Sequence, residues 1–285
     1  MTVGAMVGLS NFAQAASPSY NNGDLLACFR VTTSGTTGYG TDFLVDLGSP
    51  VTFRNLYSGG QSLNIKTVGT DLTTTFGAGW NTRTDLYWSI VGATSQDGQV
   101  SGDRYNTIYA SIARIDNSNI GSANNSGVNK ILSTSRDALS GNINDTLLAQ
   151  TFAGSTVGAN LAVGKADATI ADKSYTSLAT ASPQFSVSSG GGLSWDTAEQ
   201  QFTGGNVGTY GSAGTVYGAL DLYRAVGATG GSAPDSAVGV PSFLTTVVVD
   251  SSGNISAVPE PSTYALLAMS GVVVFFALRR RVAKA

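Results

Sequence analysis

The side chains that most often carry out acid–base and nucleophilic chemistry are scarce in this chain. It contains no histidine, so no imidazole can act as a general base, proton shuttle or metal ligand. Its one cysteine, Cys28, excludes both an internal disulfide and a thiolate metal cluster. It has two glutamates, Glu199 and Glu260. Carboxylates are therefore the main remaining candidates for hydrolytic chemistry.

Pairs of carboxylates could serve a polysaccharide hydrolase. Such an enzyme needs two acids that converge on one bond, and the pairs available are Glu199 with Asp196 and Asp42 with Asp46. Nothing in their spacing distinguishes these acids from ordinary turn residues. We therefore predict a protein that is not an enzyme and that uses no cofactor.

Short combinations of Asp, Asn and Gly could offer oxygen ligands to calcium. These are Asp97-Gly98, Asp116-Asn117, and Asp250 followed by Gly253-Asn254. The same residues supply turn geometry, and none of the combinations has the dense spacing of a calcium loop. We predict turns and no metal site.

Three aromatic residues, Trp80, Trp88 and Tyr109, could form a surface on which sugar rings stack. The alternative is that they fill the core and make cross-strand pairs. Their exposure in the folded protein decides between these two interpretations, and we favour the core.

The bulk composition is that of an exported β protein with many turns. The chain has 285 residues, of which 36 are glycine and only 12% are charged. Its net charge is −3 and no basic patch lies outside the tail, which argues against nucleic-acid binding.

The segments that must position any site are short strands separated by Gly/Ser/Asn turns. We predict a mainly β, antiparallel sandwich or jelly-roll-like domain over residues 17–255. Helical spacing at 128–139 and 145–152 predicts a helical insertion at about 116–182.

Cys28 follows Leu25-Leu26-Ala27, which resembles a lipobox, but polar residues precede it and favour a first strand with a buried cysteine. The other predicted strands are 41–48, 85–91, 107–114, 183–189, 216–224 and 242–249.

The N-terminus has part of the pattern of a signal peptide. Residues 1–16 contain an apolar stretch that ends at Ala13-Gln14-Ala15, an A-x-A cleavage pattern. No Lys or Arg occurs before Arg30, so we expect the true start to lie upstream. Ala13 and Ala15 are the predicted signal-cleavage residues.

The tail, residues 258–285, combines three parts in a fixed order. Pro259-Glu260-Pro261 comes first, an apolar helix is predicted at 264–278, and Arg279, Arg280 and Arg281 follow. The uncharged residues 263–278 would span roughly 24 Å as a helix at about 1.5 Å per residue. That is short for a hydrocarbon core of about 30 Å, but the arginines can snorkel and extend the reach. Their charge keeps this end cytoplasmic and the rest outside.

These residues resemble the sorting signal of PEP-CTERM proteins of Gram-negative bacteria. The resemblance implies that exosortase, a membrane protease-transpeptidase, recognises the Pro-Glu-Pro motif and removes the helix. It also implies transient anchoring in the inner membrane, followed by residence at the cell surface or in an exopolysaccharide matrix. Weaker similarity to one subgroup of the family continues at residues 23–30, 47–49, 71–80, 82–89 and 220–224.

Two alternatives to this function stay open at the level of the sequence. The mature domain could be a carbohydrate-binding module that uses Trp80, Trp88 or Tyr109. The tail could also remain uncut, which would make the chain a permanently anchored single-pass surface protein.

Overall fold

The fold comes from a computed structural model, which describes most of the β domain. The described residues are 21–59, 62–114, 120–123, 140–141, 143, 156–157, 163–167, 175–176, 199–202, 216–227 and 241–258. The signal peptide at 1–16, the helices predicted at 128–139 and 145–152, the strand predicted at 183–189 and the tail helix predicted at 264–278 lie outside them. Within the described residues, no helix is both long and apolar enough to cross a bilayer.

The described strands form one antiparallel sheet. Its hydrogen-bonded order is β3-β11-β10-β9-β5-β4-β1-β2-β7-β6, and β8 pairs with the start of β4. The strands are β1 Leu25–Val31, β2 Thr41–Gly48, β3 Leu63–Thr67, β4 Leu86–Ala93, β5 Ile108–Ala113, β6 Thr156–Val157, β7 Val163–Asp167, β8 Gln200–Gln201, β9 Val216–Ala225, β10 Pro241–Asp250 and β11 Asn254–Val258. The predicted mainly β, antiparallel architecture is confirmed, although the described strands form one sheet rather than the two layers of a sandwich.

The sheet curls into a nearly barrel-shaped layer around an apolar interior. Side chains of β2 and β11 meet in one core cluster although many strands separate them in the sheet. Gly218 of β9 allows the close approach across this interior, since a Cβ there would lie 2.8 Å from Nε1 of Trp88 on β4. A second cluster, which includes Cys28, covers the outer face. Strands β1, β2, β4, β5 and β9 are thus buried on both faces, so their sequences show apolar runs rather than strict alternation.

Three short helical elements lie between β2 and β4. They are α1 Pro50–Gly59, α2 Gly69–Phe76 and a 3₁₀ turn at Trp80–Thr82. Helix α1 begins with a proline, which is favoured in a first turn, and packs against β10 and β11. Leu72 and Phe76 of α2 are one turn apart and both point into the interior core. The helices therefore contribute side chains to the interior core.

The segment predicted as a helical insertion also contributes strands. Strand β7 pairs with β2, and β6 pairs with β7. These strands extend the sheet, which the weak local signals of this stretch did not predict. The described residues 140–141 and 175–176 of the same stretch are helical. Residues 200–201 form the short strand β8, which pairs with the start of β4.

Both ends of the described domain lie toward the same end of the sheet. The start of β1 lies beside the end of β4, and the end of β4 lies beside the start of β5. The start of β5 lies beside the end of β9, which in turn lies beside the start of β10. Strand β11 is antiparallel to β10 and therefore runs toward this end. We call this end of the sheet the chain-end pole. The opposite end carries the β10–β11 turn and α2.

Candidate sorting site

Strand β11 places the start of the predicted sorting motif. Val258, its last residue, is fully buried and pairs with Thr246 of β10. The hydroxyl of Thr245 donates to the Val258 carbonyl at 2.7 Å. The next residue, Pro259, has no N–H and cannot continue a ladder. The sheet therefore passes into the Pro-Glu-Pro sequence with no intervening residue.

The predicted sorting and processing residues lie outside the described part of the chain. They are Pro259, Glu260, Pro261, Arg279, Arg280, Arg281, Ala13 and Ala15. What the structure shows is their point of attachment, because Val258 ends a strand that runs toward the chain-end pole, where β1 also begins.

A buried ion cluster lies close to the chain-end pole. The Asp103 carboxylate, in the β4–β5 loop, accepts hydrogen bonds from Arg224 Nε at 2.9 Å and from Arg54 Nη1 at 3.2 Å. The Tyr109 hydroxyl donates to the same carboxylate at 2.6 Å. Burial and this acceptor raise the pKa of Tyr109. Tyr109 is therefore a core residue whose hydroxyl is already used, not part of an exposed aromatic surface.

Both tryptophans proposed for sugar stacking are core residues as well. Trp88 is 0% exposed and stacks on Phe29 with 5.7 Å between ring centroids. Trp80 is 2% exposed and meets Phe202 edge to face at 5.6 Å. Neither ring presents a face to solvent. The described structure therefore assigns Trp80, Trp88 and Tyr109 to packing, the second of the two interpretations.

Removal of the Trp88 side chain should be costly. We expect Trp88→Ala to lower the free energy of unfolding by about 3–5 kcal/mol, because it leaves a large cavity between Phe29 and Phe202. Urea denaturation of the purified domain measures this. Trp88→Phe keeps a ring against both neighbours and should cost clearly less. Equal losses for the two variants would contradict a packing role.

A hydroxyl-lined cleft of about 400 Å³ lies at the end opposite the chain-end pole. It is lined by α2 and by the β10–β11 turn. Gly69 allows these two elements to touch, since a Cβ there would lie 2.0 Å from the Ser252 carbonyl oxygen. The lining residues are Gly69, Thr70, Thr73, Thr74, Trp80, Ser251 and Ser252. A lining of this kind suits a neutral polyhydroxylated molecule.

A second polar network ties the middle of the chain to β1 and β4. Arg30 holds the Glu199 carboxylate with Nε 2.9 Å from Oε1 and Nη2 2.6 Å from Oε2. The Tyr175 hydroxyl donates to Glu199 and lies 2.6 Å from the Ser89 hydroxyl. Both oxygens of Glu199 are thus engaged in structural contacts. The partners are up to 169 residues apart, so no local pattern could reveal them.

Of the acids considered for hydrolysis, the three that the structure describes, Glu199, Asp42 and Asp46, are engaged in structural bonds. Asp42 accepts hydrogen bonds from the Thr176 amide at 3.0 Å and from the Thr176 hydroxyl at 2.6 Å. Asp46 accepts one from the Gly48 amide at 2.8 Å. Burial raises the pKa of both carboxyl groups to about 6. Asp196 lies outside the described residues.

Acidification should stabilise the domain because of these two groups. The folded-state pKa of Asp42 and of Asp46 is about 6, above the ordinary 3.8, so this stabilisation is fully present at low pH and is lost as the pH rises through 6. We expect the free energy of unfolding to be about 1–3 kcal/mol higher near pH 5 than near pH 7.5. Urea denaturation across this range measures it. The double variant Asp42→Asn, Asp46→Asn should flatten the profile, and an unchanged slope would contradict this origin.

The sequences considered for calcium binding are turns where the structure describes them. The Asp250 carboxylate accepts hydrogen bonds from the Ser252 and Asn254 amides at 2.8 and 2.9 Å and so closes the β10–β11 turn. Asp97 accepts the Tyr105 amide at 2.7 Å. In the described residues, no group of three or more His, Cys, Asp or Glu side chains is placed to hold a metal ion.

The fold and its attachment point define a class of protein: a β domain whose last strand leads directly into a C-terminal targeting tail. Residues 257–281 match the family model of the PEP-CTERM protein-sorting motif, so this chain is a PEP-CTERM domain-containing protein. No curated protein matches the chain, and no solved structure matches it. The motif implies an exported protein that a Gram-negative bacterium sorts through its membrane by means of exosortase.

Proposed function

We propose that this is a non-catalytic structural protein of the cell surface or the exopolysaccharide matrix, delivered there after exosortase removes its tail. The observation that carries the proposal is the matched motif at 257–281, which begins where the folded sheet ends. The structural use of the carboxylates and arginines described above supports a scaffold rather than an enzyme. In this proposal no cofactor is needed.

The proposed mechanism follows from the order of the tail. The apolar segment at 264–278 holds the precursor in the inner membrane while Arg279–Arg281 prevent further transfer. The prolines bar a regular helix at the membrane surface, so the backbone between them is accessible to the protease. Glu260 supplies a negative group for recognition. The tail is then removed and the β domain is released to the surface.

The mass of the C-terminal peptide tests this function. We would recover the protein from the surface of the producing cell and measure that peptide. A terminus near residues 259–262, or an added group there, agrees with the proposal. An intact end at Ala285 in the membrane fraction would instead establish a permanent single-pass anchor.

Carbohydrate binding is the second candidate for the mature domain, and one observation favours it. The hydroxyl-lined cleft lies at the opposite end from the chain-end pole, so a membrane-held domain would present it away from the bilayer. Calorimetry can measure whether soluble oligosaccharides bind to the purified domain. Binding would favour a carbohydrate-binding function, and no binding would favour a purely structural one.

A further inference from the structure

The region that matches the sorting family and the last strand share residues. The family match begins at residue 257, whereas β11 ends at Val258. Ala257 and Val258 therefore belong to both. Both side chains are 0% exposed: Ala257 lies in the interior core and Val258 in a smaller cluster with Val216 and Val248. The start of the matched region is thus part of the folded sheet.

Strand β11 is also a central strand. It pairs with β10 on one side and with β3 on the other, and Ala257 has a register partner on each. Its main-chain hydrogen-bonding groups face these two neighbours. Proteins commonly bind an extended peptide through such main-chain groups. A protease that takes hold of the chain just before Pro259 would compete with β10 and β3 for them.

The membrane brings the folded domain close to the processing site. Only the five residues 259–263 separate β11 from the apolar segment predicted at 264–278. Fully extended, five residues reach at most about 17 Å. The domain would therefore be held against the membrane surface at its chain-end pole, where a membrane protease must also fit.

We propose that pairing of β11 in the sheet and binding of the sorting motif by its protease exclude one another. Strand β11 must leave the sheet, or not yet have joined it, when the tail is cut. This proposal rests on the proposed function, since it presumes that exosortase processes the motif. Release of β11 would also deprive β3 of its partner in the sheet. Folding of the last strand thus controls whether processing can occur.

A disulfide between β11 and β10 tests this exclusion. Val247 and Ala257 are register partners, and antiparallel partners have a Cα separation that a disulfide can bridge. Cys28 lies in the outer cluster, on the opposite face from both residues, so it cannot mispair in the folded sheet. We expect full-length Val247→Cys, Ala257→Cys precursor, folded and oxidised, to lose processing by membranes of the producing cell. Reduction should restore it.

The matched control joins β10 to its other neighbour. Ala219 and Val248 are register partners on β9 and β10, and their replacement by cysteine uses the same two substitution types. This variant should be processed whether oxidised or reduced. A Gly/Ser spacer of about ten residues after Val258, with an end-to-end distance of about 17 Å, should restore processing of the oxidised β10–β11 variant.

The outcomes separate the two proposals. Normal processing of the oxidised β10–β11 variant would overturn the exclusion. Loss of processing in the β9–β10 control would also overturn it, because whole-domain unfolding rather than release of β11 would then be required. If the unaltered precursor is not processed at all, the proposed function fails instead.

Discussion

Replacement of Glu260 by alanine is expected to leave the full-length chain in the membrane fraction. Glu260 is the only charged residue between Val258 and Arg279. Its carboxylate is therefore the only side-chain charge in this stretch that a protease can recognise. Pro259 and Pro261 hold the backbone on both sides out of regular helix. Immunoblots of membrane and released fractions would show the precursor accumulating and the released form disappearing.

Deletion of Arg279–Arg281 should have the same result for a different reason. These residues stop transfer and set the orientation of the apolar segment, so the motif would no longer be held at the outer surface of the membrane. Two conservative variants serve as controls: Glu260→Asp and replacement of the three arginines by lysine both keep the charge. Unchanged processing in both Glu260→Ala and the deletion variant would contradict the sorting mechanism.

Asp221→Asn is expected to lower the stability of the domain strongly. Arg114 and Asp221 form an ion pair with both side chains 0% exposed. The Thr246 hydroxyl donates to the same carboxylate at 2.8 Å. Asparagine keeps the shape but leaves the guanidinium charge buried without its counter-charge. Removal of one partner of a buried pair costs about 3–5 kcal/mol, a large share of the 5–15 kcal/mol typical of a folded protein.

A more exposed pair provides the control for this effect. Arg83 and Asp85 lie 2.7 Å apart with side chains 15% and 18% exposed, so Asp85→Asn should cost about 1 kcal/mol or less. Urea denaturation compares the two variants. The double replacement Arg114→Met, Asp221→Leu should recover much of the loss, because it removes both buried charges. Equal costs for Asp221→Asn and Asp85→Asn would show that burial does not govern the energy.

The strands could be predicted because their local signals agree with their tertiary roles. Strands β2, β4, β9 and β10 are apolar or alternating runs bounded by turn residues, and each is found within one or two residues of its predicted bounds. Helices α1 and α2 were missed for the opposite reason. Their sequences, PVTFRNLYSG and GTDLTTTF, are rich in β-branched and aromatic residues of low helix propensity. Packing of Leu72 and Phe76 on the interior stabilises α2, and the local sequence does not predict this tertiary contact.

The site was predictable only where its residues are contiguous. The Pro-Glu-Pro motif, the apolar segment and the arginines lie in one short stretch, and the family match agrees with their identification. The pairs Arg30–Glu199 and Arg114–Asp221 join residues 169 and 107 positions apart. Only the topology of the sheet brings such residues together. The overlap of the matched region with β11 likewise could be recognised only once the structure gave the bounds of that strand.

The arginine pairs also bear on how the domain would meet a charged polymer. Among the described residues, five guanidinium groups already have a carboxylate partner: those of Arg30, Arg54, Arg83, Arg114 and Arg224. A polyanion would have to displace these carboxylates before it could use that positive charge. Association driven by such groups weakens steeply with added salt, because it releases counterions. In the proposed matrix role, these five groups should therefore contribute little salt-dependent affinity for an acidic polysaccharide.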